Sequence, residues 1–364
     1  MENPETRAIR EMYRTKFSSF AGLAFRILHP HIEYEHHWSV DLIGDALERC
    51  ARGETRRLII NLPPRSMKSI CASVAFPAWL IARRPESKVI AVAGHRGLAD
   101  DHHGLTKALM LSPKYRGLFP HVRFTEKGGK IALPHGGFRA AFTPSGALTG
   151  RGADFLIIDD PQAAHEADDP AKSAALRAWY DKNVYQRLDR KADGVVILVM
   201  QRLAHDDLTA HLLAQGGWEH LCLPAIAEED EIHSAAFGGR VLRLRGEALQ
   251  PARESREELR DALLRMGAPA FMAQYQQRPY PPGQGGERGG AFHIVEDPNA
   301  TREQRARSQF FFARFPESKF VLEEVFGEYS SIRPGPPLAM TEEEFEAFAL
   351  EASSSVSDLD GDLP

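Results

Sequence analysis

The sequence predicts an α/β fold built on a mostly parallel central sheet flanked by helices. Apolar runs of strand length alternate with longer helix-like segments from about residue 58 to residue 223, the pattern expected of strands joined by helical crossovers. The strand-like runs are also nearly continuous in Ile and Val, as expected of strands buried on both faces. Candidate strands lie at 57–62, 88–93, 155–159 and 195–200.

Helices and one hairpin fill the segments between these strands. The helical spacing of Leu, Ala and Trp predicts helices at 38–52, 68–82, 98–111, 170–188 and 206–215, and residues 130–142 are predicted to form a hairpin. A further helix over 255–266 is expected to end at Gly267, because glycine is typical of the position after a helix. One or two more helical turns are predicted within 271–277.

A segment rich in Pro and Gly marks the clearest domain boundary. Residues 279–290 contain three prolines and five glycines, too many to hold regular structure. Residues 341–364 contain eight acidic residues, no basic residue and a run of three serines, so a disordered acidic tail is predicted. The expected organisation is an N-terminal helical segment (1–55), a core domain (56–278), the linker (279–290) and a divergent C-terminal segment (291–364).

Composition indicates a soluble protein of a reducing cytoplasm. Hydrophobic residues make up 43% of the 364-residue chain and can supply a core. The start of the chain lacks the pattern of an export signal, and the longest apolar run, 195–200, is far below the ~20 residues of a membrane span. The three cysteines are far apart, without metal-site or disulfide spacing. The net charge of −5 indicates no general attraction to nucleic acid, although a local basic groove would escape this count.

The loop after the first predicted strand has the context of a phosphate-binding P-loop, because a helix follows it directly. In such loops backbone N–H groups face the phosphates, a Lys neutralises the β and γ oxygens, and a Ser hydroxyl joins the Mg²⁺ shell. The usual motif has glycine at the positions of Leu62 and Met67, so by itself the loop is equally well explained as an ordinary helix start. The candidate nucleotide-binding residues are Pro64, Arg65, Ser66, Met67, Lys68 and Ser69, with Ser69 also a candidate metal ligand.

Two carboxylates follow the strand at 155–159, about 90 residues after Lys68. Parallel sheets carry their sites at the carboxyl ends of strands, so Asp159 is expected beside the P-loop, where it could hold Mg²⁺. Asp160 is the candidate for orienting and polarising the attacking water. A turn or helix cap is the alternative for two Asp residues here, but both motifs in this order favour an ATPase.

Several motifs in order resemble the large terminase subunits of tailed phages. They are the loop at 62–69, the Gly-Arg-Gly-Ala-Asp run at 150–154 leading into Asp159, and the Gln-Tyr-Gln-Gln-Arg-Pro run at 274–279. The resemblance covers about residues 29–282. It implies a P-loop NTPase core that uses ATP and Mg²⁺ as a DNA-translocating motor of viral packaging. The implied partners are double-stranded DNA, a portal protein, the small terminase subunit and further copies of the chain in a ring, all in the host bacterial cytoplasm.

The same resemblance suggests further catalytic residues. The family segment that couples hydrolysis to movement falls on residues 199–202, which makes Gln201 the candidate γ-phosphate sensor. Arg65, Arg151 and Arg202 are candidate arginine fingers, with Arg65 favoured within the chain and Arg151 for a neighbouring subunit or DNA. A structural ion pair remains an equal alternative for each arginine.

Other polar residues are better explained structurally. Trp38 with His36 and His37 lies where the family has adenine-side residues, but an ordinary helix start is favoured. Asp206 and Asp207 fit a helix N-terminus, where acids complement the macrodipole. Arg83, Arg84 and the basic residues of 187–191 fit solvated helix ends better than a DNA path.

Two alternative functions stay open: a helicase-like DNA-dependent ATPase, and a non-catalytic or regulatory remnant of a degenerate prophage terminase. The family's nuclease domain is expected to be absent, because the 82 residues after Pro282 include the acidic tail and leave little ordered chain for a two-metal site. Asp358, Asp360 and Asp362 are interpreted as part of that solvated tail. The chain is therefore predicted to hydrolyse ATP without cutting DNA.

Overall fold

The computed structural model describes residues 4–146, 151–167, 169–234 and 240–280. The chain divides into two compact units. The first contains the described residues up to 223 together with those of 232–242, and the second contains 224–231 and the described residues from 243 onward. Among the described residues no helix is long and apolar enough to cross a membrane.

The first unit is built on an eight-stranded sheet whose order is β3–β4–β5–β2–β6–β7–β1–β8. Strands β5, β2, β6, β7, β1 and β8 are parallel, whereas β3 and β4 pair antiparallel at one edge. The predicted α/β class with a mostly parallel sheet is confirmed. The strands are β1 (Arg57–Asn61), β2 (Lys88–Ala93), β3 (Thr125–Lys127), β4 (Lys130–Ala132), β5 (Phe138–Phe142), β6 (Phe155–Asp159), β7 (Val195–Met200) and β8 (Glu219–Cys222).

Helices precede and connect these strands. They are α1 (Pro4–Thr15), α2 (Phe17–Leu28), α3 (Trp38–Arg52), α4 (Phe76–Arg83), α5 (Arg96–Leu111), α6 (Pro113–Leu118), α7 (Ala164–Ala167), α8 (Pro170–Trp179) and α9 (Leu208–Gln215). The predicted helix at 68–82 differs in detail, because a π-helical turn, Ile70–Ala75, precedes α4. A second π-helical turn, Tyr180–Val184, and a 3₁₀ turn, Tyr185–Arg187, follow α8 within the predicted helix at 170–188.

Both faces of the sheet are buried. Ile59, Leu156 and Leu198 belong to a buried cluster with Leu176 of α8 and Leu212 of α9. Successive side chains of a strand point to opposite faces of the sheet, so Phe155 lies on the other face from Leu156. Its ring centroid lies 6.1 Å from that of Phe76, and the ring centroid of Phe76 lies 5.7 Å from that of Phe17. Burial of each such side chain contributes about 1.5–3 kcal/mol, so the sheet is held as a rigid platform for the loops at its carboxyl edge.

The second unit is smaller and mainly helical. It contains α10 (Arg256–Met266) and α11 (Ala268–Gln274). Ser255 and Glu258 form a reciprocal capping box at the start of α10, which ends at Gly267, as predicted. The buried Gln276 side chain brackets the backbone of Ile226, accepting from its N–H at 2.9 Å and donating to its carbonyl at 3.0 Å.

A separate two-stranded sheet is formed by β9 (Glu231–Ser234) and β10 (Arg240–Arg243), which the sequence did not predict. The predicted linker at 279–290 lies almost wholly outside the described residues, and the segment 291–364 lies wholly outside them. The domain boundaries proposed from the sequence, including the acidic tail, therefore stay predictions.

Candidate nucleotide site

The sheet order brings the two predicted motifs to the same edge. In the parallel register Ile60 of β1 is level with Val199 of β7, and Val199 is level with Asp159 of β6. The loop after β1 and the carboxylates at the end of β6 therefore flank the end of β7, where Gln201 follows. This is the carboxyl edge of the strands, where parallel sheets bind ligands.

The loop after β1 takes a left-handed backbone conformation without glycine. Arg65 has φ of 60° and Met67 has φ of 62°, values that a residue with a Cβ atom adopts at a cost of about 1–3 kcal/mol. Glycine takes such values without that cost, which explains why the usual motif has glycine at the position of Met67. The Ser66 hydroxyl donates to the Pro63 carbonyl at 2.8 Å and braces the loop. The loop thus keeps a left-handed backbone despite the substitution.

Lys68 is a buried cation at the end of this loop. It is 5% exposed, and its Nζ lies 4.0 Å from Oδ2 of Asp160. A buried ammonium needs compensation by an anion, and Asp160 is the carboxylate paired with it here. The predicted Lys and the second predicted Asp are therefore neighbours.

Ser69 and Asp159 meet directly. The Ser69 hydroxyl donates to Oδ1 of Asp159 at 3.0 Å, although the two residues are 90 positions apart in the chain. Asp159 is 1% exposed, and its Oδ2 is buried without a hydrogen bond among the described residues. Burial raises the pKa of Asp159, while Ser73, Lys68 and Ser69 oppose the shift; Ser73 lies near the carboxylate without forming a hydrogen bond of normal geometry.

These oxygens fit a divalent cation. Mg²⁺ in nucleotide sites is held through one or two carboxylates together with substrate phosphates and water. Asp159 offers a buried carboxylate oxygen that lacks a partner, and the adjacent Ser69 offers a hydroxyl. Ser69 and Asp159 are therefore the residues of this site that would hold the cation.

Asp160 is more open than Asp159. Its side chain is 34% exposed, so a water molecule can reach it. Its backbone has φ of 40°, and its carbonyl accepts from the N–H of Gly94 at 3.2 Å. Burial and the neighbouring Asp159 raise the pKa of Asp160, whereas Lys68, a hydrogen bond from the backbone N–H of Gln201 and His102 lower it.

Gly94 permits this arrangement at the end of β2. A Cβ atom at this position would lie 2.5 Å from the carbonyl oxygen of Asp160, a distance that requires the backbone to move. Glycine is therefore required here by the close approach of two loops rather than by its own φ.

His102 belongs to the site, although the sequence analysis did not select it. It is 7% exposed, and its Nδ1 lies 3.6 Å from Oδ2 of Asp159. Burial, reinforced by the nearby Arg139, lowers the pKa of His102 to about 4. A sequence signal did exist, because Ala99, His102, His103 and Thr106 form a buried stripe at helical spacing, and polar residues on such a stripe indicate a buried polar site.

The three candidate arginine fingers differ in their surroundings. Nε of Arg202 donates to Oδ2 of Asp207 at 2.8 Å, and Asp207 in turn caps α9 by accepting from Ala210 N–H at 3.0 Å. This geometry favours a structural ion pair for Arg202 and a helix-capping role for Asp207. Arg65 is exposed, and Arg151 is exposed with its guanidinium 5.1 Å from the ring centroid of Phe142. Their assignment as fingers stays a prediction, as does the sensor role of Gln201.

The helix start near Trp38 has a structural explanation. The His37 ring accepts from the backbone N–H of Ser39 at 3.2 Å and caps α3. The His36 ring lies 2.9 Å from Oδ2 of Asp41. The Trp38 ring stacks on that of His233, with centroids 4.8 Å apart. These contacts favour the interpretation of this segment as an ordinary helix start.

Comparison with known proteins gives weak structural likenesses. No family model matches the chain, and no curated protein matches it. The large terminase ATPase domain of Thermus phage P74-26 is 14% identical over 70% of this chain and 97% of its own, with a TM-score of 0.47. The large terminase of bacteriophage HK97 is 16% identical over 60% of this chain, with a TM-score of 0.37.

The chain spans 46% of the HK97 protein. Phage large terminases are thus among the structural neighbours, and they are the family that the sequence motifs resemble. Both TM-scores are below 0.5, so neither likeness assigns a function to this chain.

Proposed function

We propose that this chain is an ATPase that hydrolyses MgATP at the carboxyl edge of β1, β7 and β6. The observation that carries the proposal is the 3.0 Å hydrogen bond from Ser69 to Asp159. A serine at a helix start and an aspartate at a strand end each have ordinary structural roles when considered alone. Their meeting beside a buried Lys68 and a left-handed loop is what nucleotide hydrolysis requires.

Within this proposal the residues of the site have separate roles in binding phosphate and binding the cation. Lys68 and the backbone N–H groups of the loop hold the β and γ phosphates, since both supply positive charge at the start of the helical segment that follows the loop. Ser69 and Asp159 hold the cation, which supplies charge neutralisation on the phosphate oxygens. In hydrolysis the bond between the terminal phosphorus and the bridging oxygen breaks, while water supplies the new oxygen.

Asp160 positions that water and accepts its proton. It is the more exposed of the two carboxylates, and it is held by the Gln201 backbone N–H. Nζ of Lys68 lies 4.0 Å from Oδ2 of Asp160. Phosphate oxygens would compete for Lys68, which would weaken this pairing and make Asp160 more available to the attacking water.

We further propose that the chain couples ATP hydrolysis to the movement of double-stranded DNA, as in viral packaging. The ordered motifs that resemble phage large terminases support it, above all the Gln-Tyr-Gln-Gln-Arg-Pro run at 274–279. A portal protein, a small terminase subunit and a ring of identical chains are the partners that this function requires. A helicase-like ATPase would instead unwind duplexes, and a non-catalytic remnant would not turn over ATP.

The test is ATP hydrolysis by the purified chain with and without linear double-stranded DNA. We expect DNA to stimulate turnover and Lys68→Ala to abolish it, because the variant loses the buried cation that faces the phosphates. Lys107→Ala is the matched control, since Lys107 is a half-exposed lysine whose ion pair with Glu126 involves neither Asp159 nor Asp160. A folded Lys68→Ala protein with normal turnover would rule out this site.

The absence of nuclease activity stays a separate prediction. The aspartates concerned, Asp358, Asp360 and Asp362, lie outside the described residues. Incubation with plasmid DNA and Mn²⁺ or Mg²⁺ tests it, and cleavage that disappears when these aspartates are substituted would show that the prediction is wrong.

A further inference from the structure

We propose that His102 is a positioning residue for Asp159, holding the carboxylate in the orientation that presents it to the cation. The inference rests on the proposed function and extends it to a residue on α5. It assigns a purpose to a buried histidine that neither the P-loop motif nor the carboxylate pair predicts.

The geometry around Asp159 carries the proposal. Oδ1 accepts from Ser69 at 3.0 Å, which fixes one side of the carboxylate. Oδ2 is buried and has no hydrogen bond among the described residues. Nδ1 of His102 lies 3.6 Å from Oδ2, about 0.4 Å beyond the usual hydrogen-bond range. A small shift of either side chain closes this gap.

A buried carboxylate oxygen without a donor is costly, by about 1–3 kcal/mol or more for a charged group. His102 can satisfy it by donating Nδ1–H to one lone pair of Oδ2, in the tautomer that protonates Nδ1, which leaves the second lone pair of Oδ2 for the cation. Partners of this kind fix the orientation of metal ligands, and their loss weakens metal affinity by roughly 10–100-fold. In this proposal His102 acts through Asp159, so its role is one of orientation.

His103, the neighbour of His102, is an equally buried histidine with different contacts, so the position of His102 and not its residue type gives it the proposed role. His103 is also 7% exposed and lies on the same helix. Its Nδ1 instead lies 3.1 Å from Nη1 of Arg139 and its Nε2 lies 3.4 Å from Glu126. The buried guanidinium of Arg139 also donates to the Ser73 carbonyl at 3.3 Å. His103 and Arg139 therefore fix α5 against its surroundings, and His102 alone of the two histidines faces Asp159.

The experiment compares three variants of the full chain. His102→Leu keeps volume and removes the donor. His102→Asn keeps a donor, since the Asn amide nitrogen can occupy nearly the place of Nδ1. His103→Asn is the matched control, because its amide oxygen can still accept from Arg139. The direct readout is the Kd of Mn²⁺ for the ADP-bound protein by electron paramagnetic resonance, accompanied by the Mg²⁺ concentration that half-activates ATP hydrolysis.

We expect His102→Leu to raise both values about tenfold. The KM for ATP at saturating Mg²⁺ should stay near that of the unmodified chain, and His102→Asn and His103→Asn should leave metal binding near normal. A purely structural role would lower the thermal unfolding temperature of metal-free protein without changing the Mn²⁺ affinity.

Unchanged Mn²⁺ affinity in His102→Leu, or an equal loss in His102→Asn or His103→Asn, overturns the inference. If the unmodified chain binds neither ADP nor Mn²⁺, the proposed function fails with it. If the unmodified chain binds both and His102→Leu binds equally well, only the inference about His102 fails.

Discussion

Two loops of the first unit reach left-handed backbone conformations by different means. The turn between β3 and β4 places Gly128 and Gly129 at φ of 57° and 74°, and a Cβ atom at Gly128 would meet nothing within 4 Å. The loop after β1 instead places Arg65 and Met67 at φ of 60° and 62°. The hairpin turn avoids strain with glycine, whereas the site loop retains it.

The difference indicates where the surrounding structure overrides local preference. Strained residues cost about 1–3 kcal/mol each and persist where neighbours fix them, most often at binding sites. In the site loop the neighbours are the Ser66 brace to Pro63 and the buried Lys68. Asp160, at φ of 40°, adds a third strained residue at the same edge of the sheet. Three of the four non-glycine residues with positive φ in the described part of the chain thus lie around the proposed phosphate position.

The largest effect is expected from Asp160→Asn, which removes the carboxylate proposed to accept the proton of water and keeps the backbone conformation. Asn tolerates a positive φ well, so Asp160→Asn should fold normally and bind ATP. Its amide cannot accept a proton from water, and turnover should fall by about 10²–10⁴-fold. Nucleotide binding and single-turnover hydrolysis measure the two steps separately.

Asp159→Asn is the companion variant and should instead weaken the Mg²⁺ dependence and nucleotide binding. Equal affinity and unchanged turnover in both variants would mean that the two carboxylates are structural only, and the strain at Asp160 would then have no link to catalysis.

A smaller effect is expected from substituting Gly94, because the backbone of Gly94 lies close to that of the strained Asp160. Gly94→Ala places a Cβ atom 2.5 Å from the Asp160 carbonyl, and the forced shift should destabilise the fold by about 2 kcal/mol and slow hydrolysis. Urea denaturation gives the free energy of unfolding. Gly104→Ala in α5 is the control, because its Cβ would meet nothing within 4 Å and alanine favours helix. Equal stability of the two variants would contradict the close contact.

The difference between the two loops is tested by placing glycine in the site loop and a residue with a Cβ atom in the hairpin turn. Met67→Gly should relieve the left-handed strain and stabilise the protein by about 0.5–1 kcal/mol, the remainder being offset by added freedom of the unfolded chain. Gly128→Ala should destabilise it by about 1 kcal/mol, because the space is open but φ is unfavourable. Thermal or urea unfolding measures both. If Met67→Gly is destabilising, then side-chain contacts of Met67 matter more than its backbone strain.

The smallest effect is expected from substituting His220, which contacts Asn61 at the end of β1, just before the site loop. Nε2 of His220 lies 2.7 Å from Oδ1 of Asn61, whose amide donates to the Met200 carbonyl at 2.9 Å. Burial, with help from the charge of Arg202, lowers the pKa of His220. Below the ordinary histidine pKa of about 6.5 the unfolded state therefore binds more protons than the folded state, so the stabilising contribution of His220 decreases as pH falls.

The expected result is that the stability gap between the unmodified chain and His220→Gln narrows between pH 7.5 and pH 5. Urea unfolding of both proteins at the two pH values measures it. A gap that stays constant or widens on acidification would show that His220 is not held neutral in the folded chain.

Much of the fold follows from sequence, because continuous Ile and Val runs have few other interpretations. Three of the four predicted strands have the predicted bounds, and the fourth ends one residue earlier, at Asn61. The edge strand β8 was missed because Glu219 and His220 break its apolar run, and its pairing with β1 depends on tertiary contacts. The meeting of Ser69 with Asp159 followed from strand order, once a parallel sheet was assumed.

The backbone of the site was less accessible to sequence. Glycine is the residue that most clearly signals a positive φ in a sequence, so Met67 gave no sign of its left-handed conformation. His102 escaped because the polar stripe on α5 indicates a buried polar site without identifying its partner; only the packing of α5 brings His102 to Asp159.

The π-helical turn Ile70–Ala75 lies between Ser69 and α4. Such a turn holds one residue more than an α-helix would need, and it carries Ser73, whose carbonyl accepts from Arg139. Because the wide turn accommodates this extra residue, its loss would let an ordinary α-helix form while Ser69 and α4 keep nearly the same relative orientation. Such a deletion would therefore leave the loop beside Asp159, and its main cost would be the contact between Ser73 and Arg139.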